Sequence, residues 1–231
     1  MAENKYQIAE LYYRSNSVKF GAFKLSAHRE NPNLPDSPWD LHYPKPTEPG
    51  AEFLPLLYKL IGAEFYEIAA EKSLYTENTR VCGLPNGATP LGDELASHYD
   101  NYPHNLIEFE KTQHPGGQTT FSRPIGIYVP GDTLLPAEDH VSGARNNKLF
   151  TTHARNCGFI VTNLLVVVDR QQGGVANMKA IGVDVNPILT GDELLQYGLA
   201  ESYITEDQYQ TVQTYRLANQ FSLAGLVPTV E

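Results

Sequence analysis

An uninterrupted apolar run, Leu164 to Val168, constrains the fold more than any other feature of the sequence. A strand without polar alternation is typical of a parallel sheet that is covered on both faces. Other strands are predicted at 18–25, 79–82, 105–109, 133–137 and 183–189, and helices at 4–14, 53–68, 90–99 and 147–156. Two capping boxes, Thr190 to Glu193 and Thr205 to Gln208, predict two further helices. Strands that alternate with helices predict an α/β fold with a mostly parallel central sheet and helices on both faces.

The chain length favours one domain. The 231 residues can bury one sizeable α/β core, whereas two independent domains would each be small. Residues 30–50 contain six prolines and are expected to be irregular, and residues 112–124 are expected to form a mobile loop. We interpret the proline-rich segment as a surface excursion, because only a small segment precedes it; a linker between domains is the alternative. The expectation is therefore a single domain over residues 1–231.

The acidic charge balance argues against nucleic-acid binding. There are 17 Lys and Arg against 27 Asp and Glu, which gives a net charge of −10, and the sequence contains no cluster of basic residues. No apolar segment is long enough to cross a bilayer, and the start of the chain lacks the pattern of a signal peptide. The two cysteines, Cys82 and Cys157, lack metal-site spacing and fit a reducing compartment. The expected location is the cytoplasm, with neither nucleic acid nor membrane as a partner.

Paired acids at the end of a strand form the first motif that can carry chemistry. The strand predicted at 133–137 runs into Glu138 and Asp139, and then into a turn of small residues at 141–146. This order places two carboxylates at the C-terminal edge of the sheet, where ligands bind in open α/β folds. The turn also directs backbone amides at a helix N-terminus, which is a natural phosphate site. The alternative is a solvated turn without a ligand.

Two further motifs combine charged or aromatic residues with glycine. The apolar strand ends in Asp169 and Arg170 before a Gln-Gln-Gly-Gly turn. Arg170 can hold a carboxylate or carbonyl through two hydrogen bonds, or it can pair with Asp169 and tie down the loop. In the segment 19–25, Phe20 and Phe23 either flank a planar ligand or belong to the core.

Taken together, and in this order, the motifs resemble those of the orotate phosphoribosyltransferases, which are type I phosphoribosyltransferases. The resemblance runs over nearly the whole chain. Its most specific segments are Asp169 to Gly174, Lys19 to Leu25, and Glu138-Asp139; Cys82 to Pro90 resembles the family's pyrophosphate loop, and Ser37-Pro38 its orotate-binding segment. The resemblance implies a type I phosphoribosyltransferase fold, with a small N-terminal hood over about residues 1–50 and a core over about residues 51–231.

The resemblance also implies an activity: transfer of ribose 5-phosphate from 5-phosphoribosyl 1-pyrophosphate to orotate, giving orotidine 5′-phosphate and pyrophosphate in pyrimidine biosynthesis. It implies a homodimer, and Mg²⁺ that arrives with the donor pyrophosphate rather than on assigned protein ligands. The implied catalytic residues are Glu138, Asp139 and Lys111. The implied donor-binding residues are Glu138, Asp139, Asn86, Gly87, Val141, Ser142, Gly143, Ala144, Arg145 and Asn146. The implied base-binding residues are Phe20, Phe23, Lys24, Ser142 and Arg170.

The chain departs from the family in its cations. An alignment on His114 places Glu108, Phe109 and Thr112 where the family's catalytic loop carries Arg and Lys, and only Lys111 remains nearby. A polyanionic donor needs such cations, because its leaving pyrophosphate must be neutralised. The departure therefore bears directly on catalysis.

Two hypotheses of different class follow from this departure. The first is a divergent orotate phosphoribosyltransferase in which Lys111, Arg123 and Arg145 replace the lost cations. A variant of it is an enzyme for another base, because the segment 30–50 remodels the orotate side. The second is a nucleotide- or phosphate-binding or regulatory module without turnover. Convergence of the three cations on one cavity above the paired acids favours the enzyme.

Overall fold

A computed structural model describes residues 2–24, 33–85, 87–114 and 118–221. In chain order the strands are β1 (Val18–Phe23), β2 (Ser37–Leu41), β3 (Thr79–Gly83), β4 (Lys111–Gln113), β5 (Thr119–Phe121), β6 (Thr133–Val141), β7 (Asn163–Asp169) and β8 (Asp184–Thr190). The helices are α1 (Ala2–Arg14), α2 (Leu54–Glu71), α3 (Thr89–Ser97), α4 (Arg145–Asn156), α5 (Gly174–Lys179), α6 (Gly191–Ala200) and α7 (Glu206–Ala218).

A parallel sheet of four strands, in the order β3-β6-β7-β8, forms the core. Strand β7 lies inside this sheet, and its residues Leu164 to Val168 are all buried, as the absence of polar alternation predicts. Helix α3 packs on β3 and β6 and against α2, while α4 packs against α5. The predicted α/β fold, with a central parallel sheet flanked by helices, is confirmed.

The helices that follow the sheet begin where the capping boxes predict. Thr190 Oγ1 accepts a hydrogen bond from the Glu193 amide at 3.1 Å, and the Glu193 carboxylate accepts one from the Thr190 amide at 2.7 Å. Thr205 and Gln208 make the same reciprocal pair. These bonds satisfy amides that have no partner within the helix. No helix in the described part of the chain is both long and apolar enough to span a membrane.

Three segments differ from their predicted structure. The proline-rich segment 30–50 contains β2, which pairs with β1 in an antiparallel two-stranded sheet; proline is tolerated there because such a strand has an unpaired edge. Segment 105–109 makes isolated bridges rather than a strand, and segment 112–124 contains the β4–β5 hairpin. Leu25, at the end of the predicted first strand, lies outside the described residues.

The C-terminal end of the sheet is shaped by β6 and by a close helix contact. Strand β6 continues to Val141, so the paired acids lie within the strand rather than after it. Helix α3 approaches β3 so closely that a Cβ on Gly92 would lie 2.0 Å from the Gly83 amide nitrogen. Only glycine permits this approach, which places the loop between β3 and α3 beside the end of β6.

Candidate functional site

A cavity of about 220 Å³ opens at the C-terminal end of β6. It lies where parallel strands present their carboxyl ends, the usual ligand-binding edge of an open α/β sheet. The lining residues come from the β3–α3 loop, the β4–β5 hairpin, the end of β6 and the start of α4; they are Leu84, Pro85, Gly87, Lys111, Phe121, Glu138, Asp139, His140, Ser142, Gly143, Ala144, Arg145, Asn146 and Asn147. Most residues predicted for donor binding therefore meet in one place. Val141 is buried, and Asn86 lies outside the described residues.

Glu138 is an acid held in a desolvated position. Its Oε2 accepts a hydrogen bond from Asn147 Nδ2 at 2.8 Å, and its Oε1 accepts one from the Asp139 amide at 3.1 Å. Burial, and then the charge of Asp139, raises the pKa of Glu138 well above its ordinary value. The two acids are adjacent and titrate as a pair.

Asp139 is the acid of the pair that keeps its charge. Burial by itself acts to raise the pKa of Asp139, but His140 and Glu138 outweigh it, so the pKa lies below the usual range. Asp139 Oδ1 accepts from the His140 amide at 2.6 Å and lies 3.1 Å from His140 Nδ1. The site therefore contains a negative charge that persists at neutral pH.

Substitution of Glu138 by Gln is expected to stabilise the protein at about pH 8 by about 1 kcal/mol and to lower turnover by about tenfold. A raised pKa in the folded state means that stability is full below the ordinary pKa and is lost as the pH rises through the raised value. Glutamine has no charge to lose, so the gain should shrink as the pH falls and vanish near pH 3, below the ordinary pKa of Glu, where the carboxyl group is protonated in both the folded and the unfolded state. Urea unfolding at both pH values measures the difference; an equal gain at both would contradict the assignment.

The turn after β6 leads directly into the N-terminus of α4. Ala144 has left-handed backbone angles (φ 61°) and no side-chain cap precedes the helix. The amides of a helix's first turn have no partner within the helix and carry its positive dipole end, so they suit a phosphate. Here they lie beside the cavity that Ser142 to Asn147 line.

The turn is braced from outside by α5 and the C-terminal segment. Asn177 Nδ2 donates to the Gly143 carbonyl at 3.1 Å and to the Phe221 carbonyl at 2.9 Å. A Cβ on Gly143 would lie 2.8 Å from Phe221 Cβ, and one on Gly174 would lie 2.4 Å from the Ser142 carbonyl oxygen. Contacts this close fix the backbone of the turn and leave room only for glycine.

Gly87 gives a direct test of the position of Asp139. A Cβ at Gly87 would lie 2.8 Å from Asp139 Oδ2, so a methyl group there must displace the carboxylate. Substitution of Gly87 by Ala is expected to lower kcat/KM by about tenfold, because small displacements of a positioned group are costly, and to leave the fold intact. Steady-state kinetics and the unfolding midpoint check this; unchanged kinetics would show that Asp139 does not need its present position.

Two of the three predicted cations reach the cavity. Lys111, at the start of the β4–β5 hairpin, and Arg145, the first residue of α4, both line it. Arg123 does not line it. Arg145 and Lys111 therefore bring positive charge to the same cavity as the start of α4.

The residues predicted for base binding lie apart from this cavity, except Ser142. Phe20 and Phe23 are half-buried on β1, and Lys24 is exposed just after it. Arg170 is fully buried at the end of β7, where Asp40, not Asp169, is its ionic partner. The described structure thus brings most residues predicted for donor binding into one cavity and places those predicted for base binding, except Ser142, outside it.

Sequence reasoning missed several residues of the site. Asn147, the hydrogen-bond partner of Glu138, follows the predicted turn by one residue, and Phe121 lies in the segment 112–124, which is predicted to be a loop. His140 could have been found by its position directly after the paired acids. No sequence pattern marks Asn147, because its contact with Glu138 depends on how the start of α4 is placed beside β6.

Comparisons with known proteins point to one family. The chain is 30% identical over 128 residues to orotate phosphoribosyltransferase of Caenorhabditis elegans, over 55% of this chain and 54% of that protein. It is 26% identical over 191 residues to orotate phosphoribosyltransferase of Methanocella arvoryzae, over 83% of this chain and 97% of that protein. The match thus spans about half of the first relative and nearly all of the second. No family model matches the chain.

Solved structures support the fold. The structure of Leishmania donovani UMP synthase superimposes with a TM-score of 0.70 at 20% identity, over 92% of this chain and 42% of that one. The fold is therefore that of the type I phosphoribosyltransferases.

Proposed function

We propose that the chain, a divergent member of the orotate phosphoribosyltransferase family, transfers ribose 5-phosphate from 5-phosphoribosyl 1-pyrophosphate to orotate, giving orotidine 5′-phosphate and pyrophosphate. The observation that carries the proposal is the single cavity in which paired acids, a helix N-terminus and two cations meet. Each of these groups matches one part of the donor. The reaction belongs to pyrimidine biosynthesis.

The chain's own residues hold the donor at three points. The acids Glu138 and Asp139 accept hydrogen bonds from the ribose hydroxyls, and the charge on Asp139 opposes the positive charge that develops on the ribose ring in the transition state. The amides from Ser142 to Asn146 bind the 5-phosphate at the start of α4. Phe121 and Leu84 add apolar surface to the wall of the cavity, which lowers the local polarity and strengthens the electrostatic effect of this charge.

The leaving pyrophosphate requires positive charge, which Lys111 and Arg145 supply. In the part of the chain that the structure describes, no three His, Cys, Asp or Glu side chains converge to hold a metal ion. Mg²⁺ nevertheless fits the site, because it prefers oxygen ligands and is commonly held by one or two carboxylates together with substrate phosphates. Asp139 would hold it beside the donor, and the ion would supply positive charge toward the leaving pyrophosphate.

We further propose a cytoplasmic homodimer whose ligands are these small molecules. Cys82 and Cys157 are both free thiols, which fits a reducing compartment. The net charge of −10 disfavours nucleic acid as a partner.

A second candidate function is a nucleotide- or phosphate-binding module without turnover. The observation that favours it is the set of uncharged or acidic residues Glu108, Phe109 and Thr112 at the family's cationic positions. The retained acids argue against a module that binds phosphate alone, which needs no carboxylates, but they suit one that binds the ribose of a nucleotide.

The deciding experiment is an assay of orotidine 5′-phosphate formation from orotate, 5-phosphoribosyl 1-pyrophosphate and Mg²⁺, with donor binding measured by calorimetry on the same sample. Turnover supports the proposed enzyme. Donor binding without turnover on orotate, or on a panel of other bases, supports the binding module. Turnover on another base only would correct the acceptor and keep the reaction class.

A further inference from the structure

The turn between β6 and α4 receives a hydrogen bond from a side chain of α5. Asn177 Nδ2 carries two hydrogens and donates to two carbonyls, that of Gly143 at 3.1 Å and that of Phe221 at 2.9 Å. Gly143 lines the cavity, whereas the half-buried Asn177 does not. Asn177 therefore acts on the backbone of the turn from outside the cavity.

This hydrogen bond fixes the orientation of one peptide unit. The Gly143 carbonyl and the Ala144 N–H belong to the same planar trans peptide, in which the two groups point in opposite directions. Because the carbonyl is held toward Asn177, the Ala144 N–H is turned away from α5. Ala144 lines the cavity, and its carbonyl accepts the first hydrogen bond of α4, from the Lys148 amide at 2.9 Å. Asn177 thus determines which way the Ala144 amide points where the turn meets the helix.

The backbone conformation of Ala144 needs such support. Its φ of 61° lies in the left-handed region, which is unfavourable for a residue with a Cβ. A conformation of this kind persists when the surrounding contacts impose it. Asn177 supplies one such contact on the peptide that precedes Ala144, so its loss should release the turn.

The segment that follows α7 holds Asn177 in place. The Phe221 carbonyl accepts the second hydrogen of Asn177 Nδ2, and the Phe221 amide donates to the Gln172 carbonyl at 2.9 Å. Phe221 also packs directly on the turn, because a Cβ on Gly143 would lie 2.8 Å from Phe221 Cβ. Asn177 therefore belongs to a network that joins the turn, the loop between β7 and α5, and the segment after α7.

We propose that Asn177 is a positioning residue for the 5-phosphate of the donor: it holds the Gly143–Ala144 peptide so that the Ala144 amide binds a phosphate oxygen at the start of α4. The part of this inference that concerns the phosphate rests on the proposed function. Asn177 lies outside the cavity and acts only through the backbone of the turn. Its loss should therefore weaken donor binding and leave the acceptor unaffected.

The test uses the full chain with Asn177→Ala, and Asn163→Ala as a matched control. Asn163 is also a half-buried asparagine, but it lies at the start of β7, at the opposite end of the sheet, where it donates to Thr162 Oγ1 at 3.2 Å. For Asn177→Ala we expect the donor Kd by calorimetry to rise about tenfold. The kcat and the KM of orotate should change by less than about threefold. A donor Kd that is unchanged, or that rises equally in Asn163→Ala, overturns the positioning role.

A second variant distinguishes support of the left-handed turn from a general loss of stability. Glycine adopts left-handed backbone angles readily, so a chain with Ala144→Gly should depend less on Asn177. In that background Asn177→Ala should raise the donor Kd by less than about threefold. An equal loss in both backgrounds would show that Asn177 does not act through the conformation of Ala144.

Amide hydrogen exchange tests the support of the turn without any ligand. In Asn177→Ala the Lys148 amide, which bonds to the Ala144 carbonyl, should exchange at least about tenfold faster, with the amides of β3 unchanged. Unchanged exchange at Lys148 overturns the support of the turn. If the wild-type protein binds the donor but forms no orotidine 5′-phosphate, the proposed function fails, while weaker donor binding by Asn177→Ala still supports the positioning role. A wild-type protein that binds no donor overturns the role toward the phosphate.

Discussion

Replacement of Asp139 by Asn is expected to lower kcat/KM for orotidine 5′-phosphate formation by about 10²–10³-fold. Asp139 lines the cavity with a carboxylate whose pKa lies below the usual range, so it is charged at neutral pH. Asparagine keeps the shape and can still accept the hydrogen bond from the His140 amide. It lacks the negative charge that, in the proposed reaction, stabilises the positive charge developing on the ribose.

The stability of this variant must be measured alongside its kinetics. A lowered pKa in the folded state contributes stability that is present above the ordinary pKa of the group and is lost as the pH falls through the lowered value. The Asn variant should therefore unfold more easily at neutral pH, by about 1–2 kcal/mol, and the difference should shrink in acid. The kinetics should be measured at a temperature well below the unfolding midpoint of the variant. Asp184→Asn is the control, because it makes the same change of charge at an exposed ion pair with Lys179. Turnover within about threefold of wild type would remove Asp139 from the mechanism.

The order of strands and helices could be predicted because it depends on local patterns. The apolar run Leu164 to Val168 has no alternation of apolar and polar residues, so both faces of the strand must be buried. The capping boxes at Thr190 and Thr205 mark helix starts by hydrogen bonds within four residues. Both features are complete within a short window of sequence, and tertiary contacts reinforce them.

The elements that were missed depend on distant partners. Strand β2 lies among prolines, which predict irregular structure, yet it forms because β1 pairs with it and Arg170 binds it from across the chain. The extension of β6 through Glu138 follows from its pairing with β7 at Val166 and Val168, beyond the end of its own apolar pattern.

The sequence identifies many residues of the candidate site, but it does not show which distant residues contact one another. The paired acids and the turn after them are adjacent in sequence, so their meeting at one edge follows from the fold class. Arg170 follows a strand in the same way, and its sequence context is compatible with a ligand contact or a loop contact. Its actual partner, Asp40, is 130 residues away, and no pattern near either residue indicates the pair.

The second large effect concerns Lys111 and Arg145 together. Arg145→Ala is expected to weaken donor binding by about 10–100-fold, because Arg145 lies at a helix N-terminus beside the cavity, where the proposed function places the phosphate groups of the donor. Lys111→Ala is expected to lower kcat/KM by a similar factor, about 10–100-fold, with more of the loss in kcat, since a charge facing the leaving group matters most as that charge develops.

The double variant tests whether Lys111 and Arg145 act on the same group of the donor. If both neutralise the same pyrophosphate, the double variant should lose less than the product of the single losses, whereas independent roles should give losses that multiply. Lys148→Ala is the matched control, since Lys148 lies on α4 but does not line the cavity. Donor Kd by calorimetry and kcat/KM by assay measure the cycle. A double variant that retains wild-type donor binding would show that Lys111 and Arg145 do not neutralise the donor, which would contradict their proposed role.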